Sequence, residues 1–214
     1  MKRFLFVCTG NTCRSPLAQA LLKEKRPDAL VKSAGVYALP GMNASGGTLE
    51  VLAEKGITLD HSSNQVSEEL LNWADIVFTL TESHKATLIK QFPAFVDKIH
   101  TLKEFAYDKD IEGIRQQLQH HYAQLELKQA QFLQEHKEEI EELNRRTDLE
   151  AKKQLDHLTK ALQNLIKEDR DAIERLENLM PCMDISDPFG GSVDVYRRTA
   201  LEIEDAIDKM LARI

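Results

Sequence analysis

The chain has 214 residues, of which 42% are hydrophobic, and its formal net charge is −7 at pH 7. This length suits one domain, or one domain with an appended unit, and the acidic balance does not support general nucleic-acid binding, which needs a basic face. Three cysteines do not make a disulfide framework, and the N-terminal apolar run is too short for a signal peptide or membrane span, so we expect a soluble, cytoplasmic protein without a membrane or nucleic-acid partner.

Short strands and helices alternate along most of the chain. The predicted strands are apolar runs bounded by turn-forming residues, over 4–8, 29–32, 75–80 and 98–102. The predicted helices have apolar residues at helical spacing, over 16–25, 47–55, 67–73, 82–91 and 192–213. Strands that alternate with helices predict an α/β fold with a parallel, doubly wound sheet.

The amino-acid composition changes after the last predicted strand. Between 108 and 181 only Gly113 and Pro181 interrupt a sequence rich in Glu, Lys, Gln and Leu, which is typical of long helix. Apolar residues recur there at seven-residue intervals: Ile111, Leu118, Leu125 and Phe132; Leu155, Leu162 and Leu176; Leu158, Leu165, Ala172 and Leu179. Asp169 interrupts the second series. This pattern indicates the seam of an antiparallel coiled coil that reverses over 144–148, where Thr147 or Asp148 caps the second arm.

The helical segment is interpreted as an insertion into the α/β fold. We predict a discontinuous domain over 1–108 and 182–214, and a coiled-coil hairpin over 109–181. The simplest interpretation of the hairpin is a self-contained helix pair with a solvated, charged exterior. The alternative is that it recruits a protein partner or mediates dimerisation.

The stretch CTGNTCRS, residues 8–15, follows the first strand and precedes the first helix. Backbone N–H groups of such a loop can point into its centre and bind phosphate oxygens. The positions predicted to contact phosphate in this way are Thr9, Gly10, Asn11, Thr12, Cys13 and Arg14. The Arg14 guanidinium can hold two further oxygens, and the helix start, with Ser15 as predicted N-cap and Pro16 after it, adds a positive dipole end. These groups favour the thiolate form of Cys8, a nucleophile placed beneath a bound phosphoryl group.

A candidate proton donor follows the helical segment. Proline restricts the residue before it to extended geometry, so the Asp187-Pro188 pair can hold the aspartate over a cleft. The carboxylic acid of Asp187 could protonate the leaving atom, and its carboxylate could then activate water against a phosphocysteine.

Taken together, Cys8–Ser15, Ser33–Gly35 and Asp187-Pro188 resemble the low-molecular-weight protein-tyrosine phosphatase family. The resemblance covers about residues 1–107 and 182–214. It implies a four-stranded parallel sheet flanked by helices.

The same resemblance implies a role for each matching residue. Cys8 is the nucleophile, Arg14 binds the phosphate and Asp187 is the general acid. Asn11 and Ser15 hold the shape of the loop by hydrogen bonds, and Ser15 also helps the thiolate to leave.

Several segments resemble the bacterial protein-arginine phosphatase branch of that family: SAGVYALPG, SEELLNWADIVFTLTESHK, TLKEF and DPFGGSVDVY. Thr12 stands where tyrosine-specific members usually carry a larger aliphatic residue, and Phe189-Gly190-Gly191 stands where they carry paired aromatic residues. The resemblance implies that Thr12 favours the planar guanidinium of phosphoarginine on a protein substrate. Phe189 could stack on that plane.

Two other activities are alternatives to this assignment. Tyr37 and Phe189 could line a phenyl pocket, so a phosphotyrosine phosphatase of the same fold is the second candidate. Arsenate reductases of similar fold use a cysteine pair near the third strand, and residues 75–107 contain no cysteine, which counts against that activity.

We expect neither a cofactor nor a metal ion. No two histidines of the hairpin are four residues apart, and His61, His84 and His100 are predicted to lie on the surface or in loops. The resemblance implies that Cys13 can pair with Cys8 under oxidation. The alternative is that Cys13 is only a small loop residue. Cys182 has no partner in the sequence.

Overall fold

The structure is a computed structural model that describes residues 2–214, apart from the side chain of residue 110. It divides into two compact units. One comprises the residues up to Asp108 together with Cys182–Ile214, and the other is Lys109–Pro181.

The first unit contains a four-stranded sheet in the order β2-β1-β3-β4, with β1 at Arg3–Cys8, β2 at Leu30–Gly35, β3 at Ile76–Thr79 and β4 at Ile99–Thr101. Every neighbouring pair is parallel. The predicted parallel sheet is therefore confirmed. Because β2 and β3 flank β1 on opposite sides, the chain reverses its direction of winding at β1, and the carboxyl end of β1 is where ligands bind in open α/β sheets.

The helices are bounded as follows: α1 Arg14–Lys25, α2 Gly46–Glu54, α3 Glu68–Trp73, α4 Glu82–Gln91, α5 Leu102–Glu135, α6 Lys137–Asn144, α7 Leu149–Leu165, α8 Lys167–Leu179 and α9 Val193–Leu211, with a 3₁₀ helix at Pro93–Lys98. None of them, among residues 2–214, is both long and apolar enough to cross a membrane.

Both faces of the sheet are covered. Side chains alternate along a strand, so Phe6 of β1 lies in the cluster that includes residues of α1 and α9, while its neighbours Leu5 and Val7 lie in the cluster on the other face. The rings of Phe6 and Phe78 are fully buried with centroids 5.8 Å apart. Burial of each ring stabilises the fold by about 2–3 kcal/mol, and the two-sided core explains why β1 is apolar from Phe4 to Cys8.

The second unit consists of helices that reverse at 145–148, close to the predicted turn. Asp148 caps α7, since its side chain accepts a hydrogen bond from the Ala151 backbone N–H at 3.0 Å. An apolar cluster forms between the helices on either side of the turn; its buried members are Phe132, Leu143, Ala151 and Leu158.

The predicted seam is wrong at two positions of the second arm. Leu165 and Leu179 are exposed, at 45% and 65%, whereas Ile166 and Ile173 are buried. The helix breaks between α7 and α8 at Ile166. Before the break, apolar residues lie four residues apart, at Leu158, Leu162 and Ile166, so the stripe of buried side chains along the helix shifts by one position. The strict seven-residue repeat therefore fails at Leu165 and Leu179, whereas Asp169 and Ala172 are buried at the positions it assigns.

Asp169 occupies a buried position of that stripe, with 6% exposure. One carboxylate oxygen lies 2.9 Å from His121 Nδ1 and the other 2.6 Å from Lys128 Nζ. Hydrogen bonds from Lys128 and then His121 lower the pKa of Asp169. Because a buried carboxylate without its partners is strongly destabilising, these contacts favour the observed register of α5 and α8.

Candidate active site

The loop at 8–15 surrounds a cavity at the carboxyl end of β1. The cavity measures about 250 Å³ and is lined by Cys8, Thr9, Gly10, Thr12, Cys13, Arg14, Asp187 and Phe189. The structure thus brings these predicted site residues together across 180 residues of sequence. The other two predicted residues, Asn11 and Ser15, are fully buried behind them.

Ser15 faces the nucleophile candidate and does not cap the helix. α1 begins at Arg14, Cys13 holds the N-cap position without a side-chain hydrogen bond, and Leu17 N–H donates to Cys13 O at 3.2 Å. The predicted capping role of Ser15, and the placement of Pro16 at the first helical position, are therefore wrong. The Ser15 hydroxyl instead lies 3.0 Å from Cys8 Sγ and 3.3 Å from Ala34 O. A hydroxyl at this distance can donate to a thiolate, which stabilises the negative sulfur.

Asn11 fixes the curvature of the loop. Its φ of 55° is the only positive value among the non-glycine residues of 2–214, and asparagine is one of the few residues that adopt this conformation readily. The Asn11 side-chain amide donates to Ser15 Oγ and Ser33 Oγ, both at 2.9 Å. Its Oδ1 accepts from Asn64 N–H at 2.8 Å, and its backbone oxygen lies 2.6 Å from His61 Nε2. Every polar group of this buried side chain is therefore used to hold the loop.

Gly35 explains the Ser33–Gly35 motif. It ends β2 beside the loop, and a Cβ at this position would lie 2.5 Å from the Thr9 backbone oxygen and 2.9 Å from the Asn11 nitrogen. Both contacts are to backbone atoms, so only glycine allows β2 to approach the loop this closely.

Arg14 is almost buried, with 5% exposure, and lies on the wall of the cavity. Nη2 donates to Asp187 Oδ2 at 2.9 Å and to Thr9 Oγ1 at 3.4 Å, while Nη1 donates to Ile185 O at 3.4 Å. The buried Nε–H has no hydrogen-bond partner within the described part of the chain. An unsatisfied buried donor costs about 1–3 kcal/mol, so the guanidinium keeps one hydrogen-bond donor unused.

Asp187 lies at the rim of the cavity. Its side chain is 53% exposed and is held by Arg14 and by the Phe189 N–H, which donates to Oδ1 at 3.2 Å. An exposed, oriented carboxyl group at the rim of a cavity has the geometry of a general acid or base.

His84 is the functional candidate that sequence reasoning missed. It was predicted to lie on the surface or in a loop, but it is 6% exposed within α4. Nε2 lies 2.8 Å from Thr9 Oγ1, and Nδ1 lies 2.8 Å from the hydroxyl of Thr81, the N-cap of α4. The spacing Thr81-x-x-His84 at a helix start was the only available signal. His100 also departs from the prediction, since it is partly buried within β4.

Burial, together with the positive charge of Arg14, lowers the pKa of His84 to about 4, against the smaller opposing effects of Asp184 and Asp187. The imidazole is therefore neutral at neutral pH, and it contributes through hydrogen bonds and not through charge.

Cys13 is buried beside the loop, with Sγ 3.5 Å from the Tyr196 hydroxyl. Burial and the contact with Cys13 raise the pKa of Tyr196. A Cβ on Gly47 would lie 2.5 Å from the Tyr196 ring, so this glycine makes room for the tyrosine. Cys182 is exposed and lies outside the cavity.

A family model described as "Low molecular weight phosphotyrosine protein phosphatase" matches residues 3–155. The protein-arginine-phosphatase of Geobacillus stearothermophilus is 50% identical over 109 residues, which cover 50% of this chain and 74% of that protein. The protein of the same name from Bacillus subtilis (strain 168) is 46% identical over 105 residues, which cover 47% of this chain and 70% of that protein.

Solved structures that resemble this chain also include arginine phosphatases. The YwlE arginine phosphatase from Geobacillus stearothermophilus superposes with a TM-score of 0.64 at 31% identity, covering 100% of this chain and 92% of that chain. A YwlE arginine phosphatase mutant with a phosphorylated active-site serine superposes with a TM-score of 0.63 at 27% identity, covering 99% of this chain and 95% of that chain.

Proposed function

We propose, from the premise that this chain belongs to the low molecular weight phosphotyrosine protein phosphatase family, that it hydrolyses phosphoarginine on proteins through a phosphocysteine intermediate. The observation that carries the chemistry is the convergence of Cys8, Arg14 and Asp187 on one cavity. The similarity to two protein-arginine-phosphatases supports the choice of substrate.

In the first step the Cys8 thiolate attacks phosphorus. A bond forms between sulfur and phosphorus, and the bond from phosphorus to the guanidinium nitrogen breaks. The electron pair of that bond stays on nitrogen, which takes the proton of the Asp187 carboxylic acid. Arg14 and the backbone N–H groups of the loop stabilise the charge on the phosphoryl oxygens.

In the second step water attacks the phosphocysteine. The Asp187 carboxylate removes a proton from the water, and the bond from sulfur to phosphorus breaks. The hydroxyl of Ser15, 3.0 Å from Cys8 Sγ, stabilises the departing thiolate. Inorganic phosphate leaves, and Asp187 again carries its proton.

Thr12 and Phe189 are proposed to select the substrate. Both line the cavity, and Phe189 is 78% exposed, so its ring is available to a group that enters. The Thr12 side chain is shorter than the larger aliphatic residue usual in tyrosine-specific members, so it leaves room for the branched, planar guanidinium. Phosphotyrosine is the second candidate substrate, because the Staphylococcus haemolyticus protein-tyrosine-phosphatase PtpB is 39% identical over 90 residues.

We expect the chain to release phosphate faster from a phosphoarginine peptide than from a phosphotyrosine peptide of the same sequence. The Thr12→Ile variant should reduce this preference about 10-fold or more, because added methyl groups in a pocket change selectivity by about 1–3 kcal/mol. The ratio of kcat/KM for the two peptides measures the effect. Thr159→Ile, an exposed position in α7, is the matched control. A wild-type preference for phosphotyrosine would overturn the substrate assignment, and an unchanged ratio would remove Thr12 from it.

The hairpin over 109–181 is proposed as an inserted coiled-coil domain that contacts a protein partner or a second copy of the chain. Its support is the self-contained cluster around Phe132 and Leu158, together with exposed apolar side chains at Leu127 and Leu133. The cytoplasm is proposed as the location, since free thiols at Cys8 and Cys13 are typical of a reducing compartment.

Deleting 109–181 and joining the ends by a short loop should leave turnover of a small aryl phosphate within about threefold, since every residue that lines the cavity lies outside the deletion. Analytical ultracentrifugation of both chains tests the assembly role. A folded deletion variant without turnover would place the hairpin in the catalytic unit, and a sedimentation mass equal to that of a single chain for each protein would rule out self-association.

A further inference from the structure

A chain of hydrogen bonds leads from α4 into the cavity. Thr81 Oγ1 lies 2.8 Å from His84 Nδ1, and His84 Nε2 lies 2.8 Å from Thr9 Oγ1. Thr9 Oγ1 also accepts a hydrogen bond from Arg14 Nη2 at 3.4 Å. All four residues belong to the first unit, and Thr9 and Arg14 line the cavity.

The tautomer of His84 determines whether the Thr9 hydroxyl can donate a hydrogen bond into the cavity. With the proton on Nδ1, the imidazole donates to Thr81, and Nε2 must accept the only hydrogen of the Thr9 hydroxyl. With the proton on Nε2, the Thr81 hydroxyl donates to Nδ1, and Nε2–H donates to Thr9. The Thr9 hydroxyl then accepts from both His84 and Arg14, and its own hydrogen is free to point into the cavity.

The doubly protonated imidazole would also donate to Thr9, but the surroundings disfavour it. His84 is 6% exposed and the Arg14 guanidinium faces it across Thr9, while the carboxylates of Asp184 and Asp187 attract it less strongly. The neutral ring is therefore the working form, and an anion in the cavity selects the tautomer that leaves a hydroxyl hydrogen to donate.

We propose that His84 is a positioning residue for phosphoryl binding, which orients the Thr9 hydroxyl so that it donates a hydrogen bond to a phosphoryl oxygen. This proposal rests on the proposed phosphatase function. His84 does not touch the substrate; it acts through Thr9, and Thr81 completes the relay by donating to Nδ1. The same contact holds Thr9 where it accepts from Arg14, so the relay also fixes one edge of the guanidinium.

The test uses the full chain with His84→Asn, His84→Leu and His84→Gln. Asparagine is too short to reach Thr9, and leucine has no donor, so both should weaken competitive inhibition by inorganic phosphate about 10-fold, the loss of one useful hydrogen bond. Glutamine can present an N–H near the position of Nε2 and should restore inhibition to within about threefold of wild type. His157→Leu, exposed in α7, is the control. Thermal unfolding identifies any variant that does not fold, and the two loss variants give independent readings.

A double-mutant cycle with Thr9→Val distinguishes a relay from a merely structural effect. If His84 acts through Thr9, adding His84→Asn to Thr9→Val should cause no further loss of phosphate affinity. Independent losses that multiply, or His84→Asn and His84→Leu chains that fold and bind phosphate as wild type does, would overturn the proposal.

Phosphate binding to Cys8→Ser chains, measured by calorimetry, separates this result from the fate of the proposed function. If Cys8→Ser chains bind phosphate with the expected His84 dependence but the chain with Cys8 intact hydrolyses no phosphoprotein, the proposed function is refuted and the relay is supported. If the chain hydrolyses phosphoprotein but its phosphate affinity does not depend on His84, the proposed function is supported and the relay is refuted.

Discussion

Replacing Cys8 by Ser is expected to lower turnover of every phosphoryl substrate by about 10⁴-fold or more, the scale seen when a nucleophile is removed. A serine hydroxyl is not ionised near neutral pH, and the nearest group to this position, the Ser15 hydroxyl at 3.0 Å, is not a base. The rate of phosphate release in the steady state measures the loss.

The same variant should still bind inorganic phosphate, because Arg14 and the backbone N–H groups of the loop are unchanged. Cys182→Ser is the matched control, since Cys182 is exposed and lies outside the cavity. If Cys8→Ser retained more than about a hundredth of the wild-type rate, the phosphocysteine intermediate would be excluded.

Replacing Asp187 by Asn is expected to slow the first turnover of phosphoarginine by about 10²–10⁴-fold, the usual contribution of a general acid. The asparagine oxygen can still accept from Arg14 Nη2, now 2.9 Å from the Asp187 carboxylate, so the guanidinium should stay in place. What is lost is the proton for the leaving nitrogen.

A nitrophenyl phosphate separates this role from a structural one. Nitrophenolate leaves without protonation, so the burst of nitrophenol from Asp187→Asn should remain within about 10-fold of wild type, while the later hydrolysis of the phosphocysteine slows. Asp184→Asn serves as control because its side chain bonds the Glu82 N–H and does not line the cavity. An equal loss in both first turnovers would falsify the assignment of Asp187 as the acid.

The parts of the molecule that the sequence predicted best are those specified by short-range pattern. The apolar run of β1, the loop after it and the helix that follows are contiguous, so spacing alone predicted their order. Strand and helix alternation likewise predicted the parallel sheet, because parallel strands need such crossovers.

The predictions from sequence were wrong where a side chain contacts residues that are distant in the sequence. Ser15 is a good N-cap by residue type, but Cys8 and Ala34 offer its hydroxyl buried partners that local propensity does not register. His84 is buried where the start of α4 meets the loop after β1. The Leu165 prediction was wrong because the apolar residues before the helix break are spaced by four, from Leu158 to Ile166, and a fixed seven-residue repeat does not allow for that change.

The way Asn11 is held has a genetic consequence. Its left-handed backbone depends on Ser33, His61 and Asn64, which belong to segments far from the loop in sequence. A screen for alleles that accumulate normally but lack activity should therefore recover changes at these distant codons as readily as changes within the loop. Such alleles would be scored as harmless by any survey that looked only at positions touching the phosphoryl group.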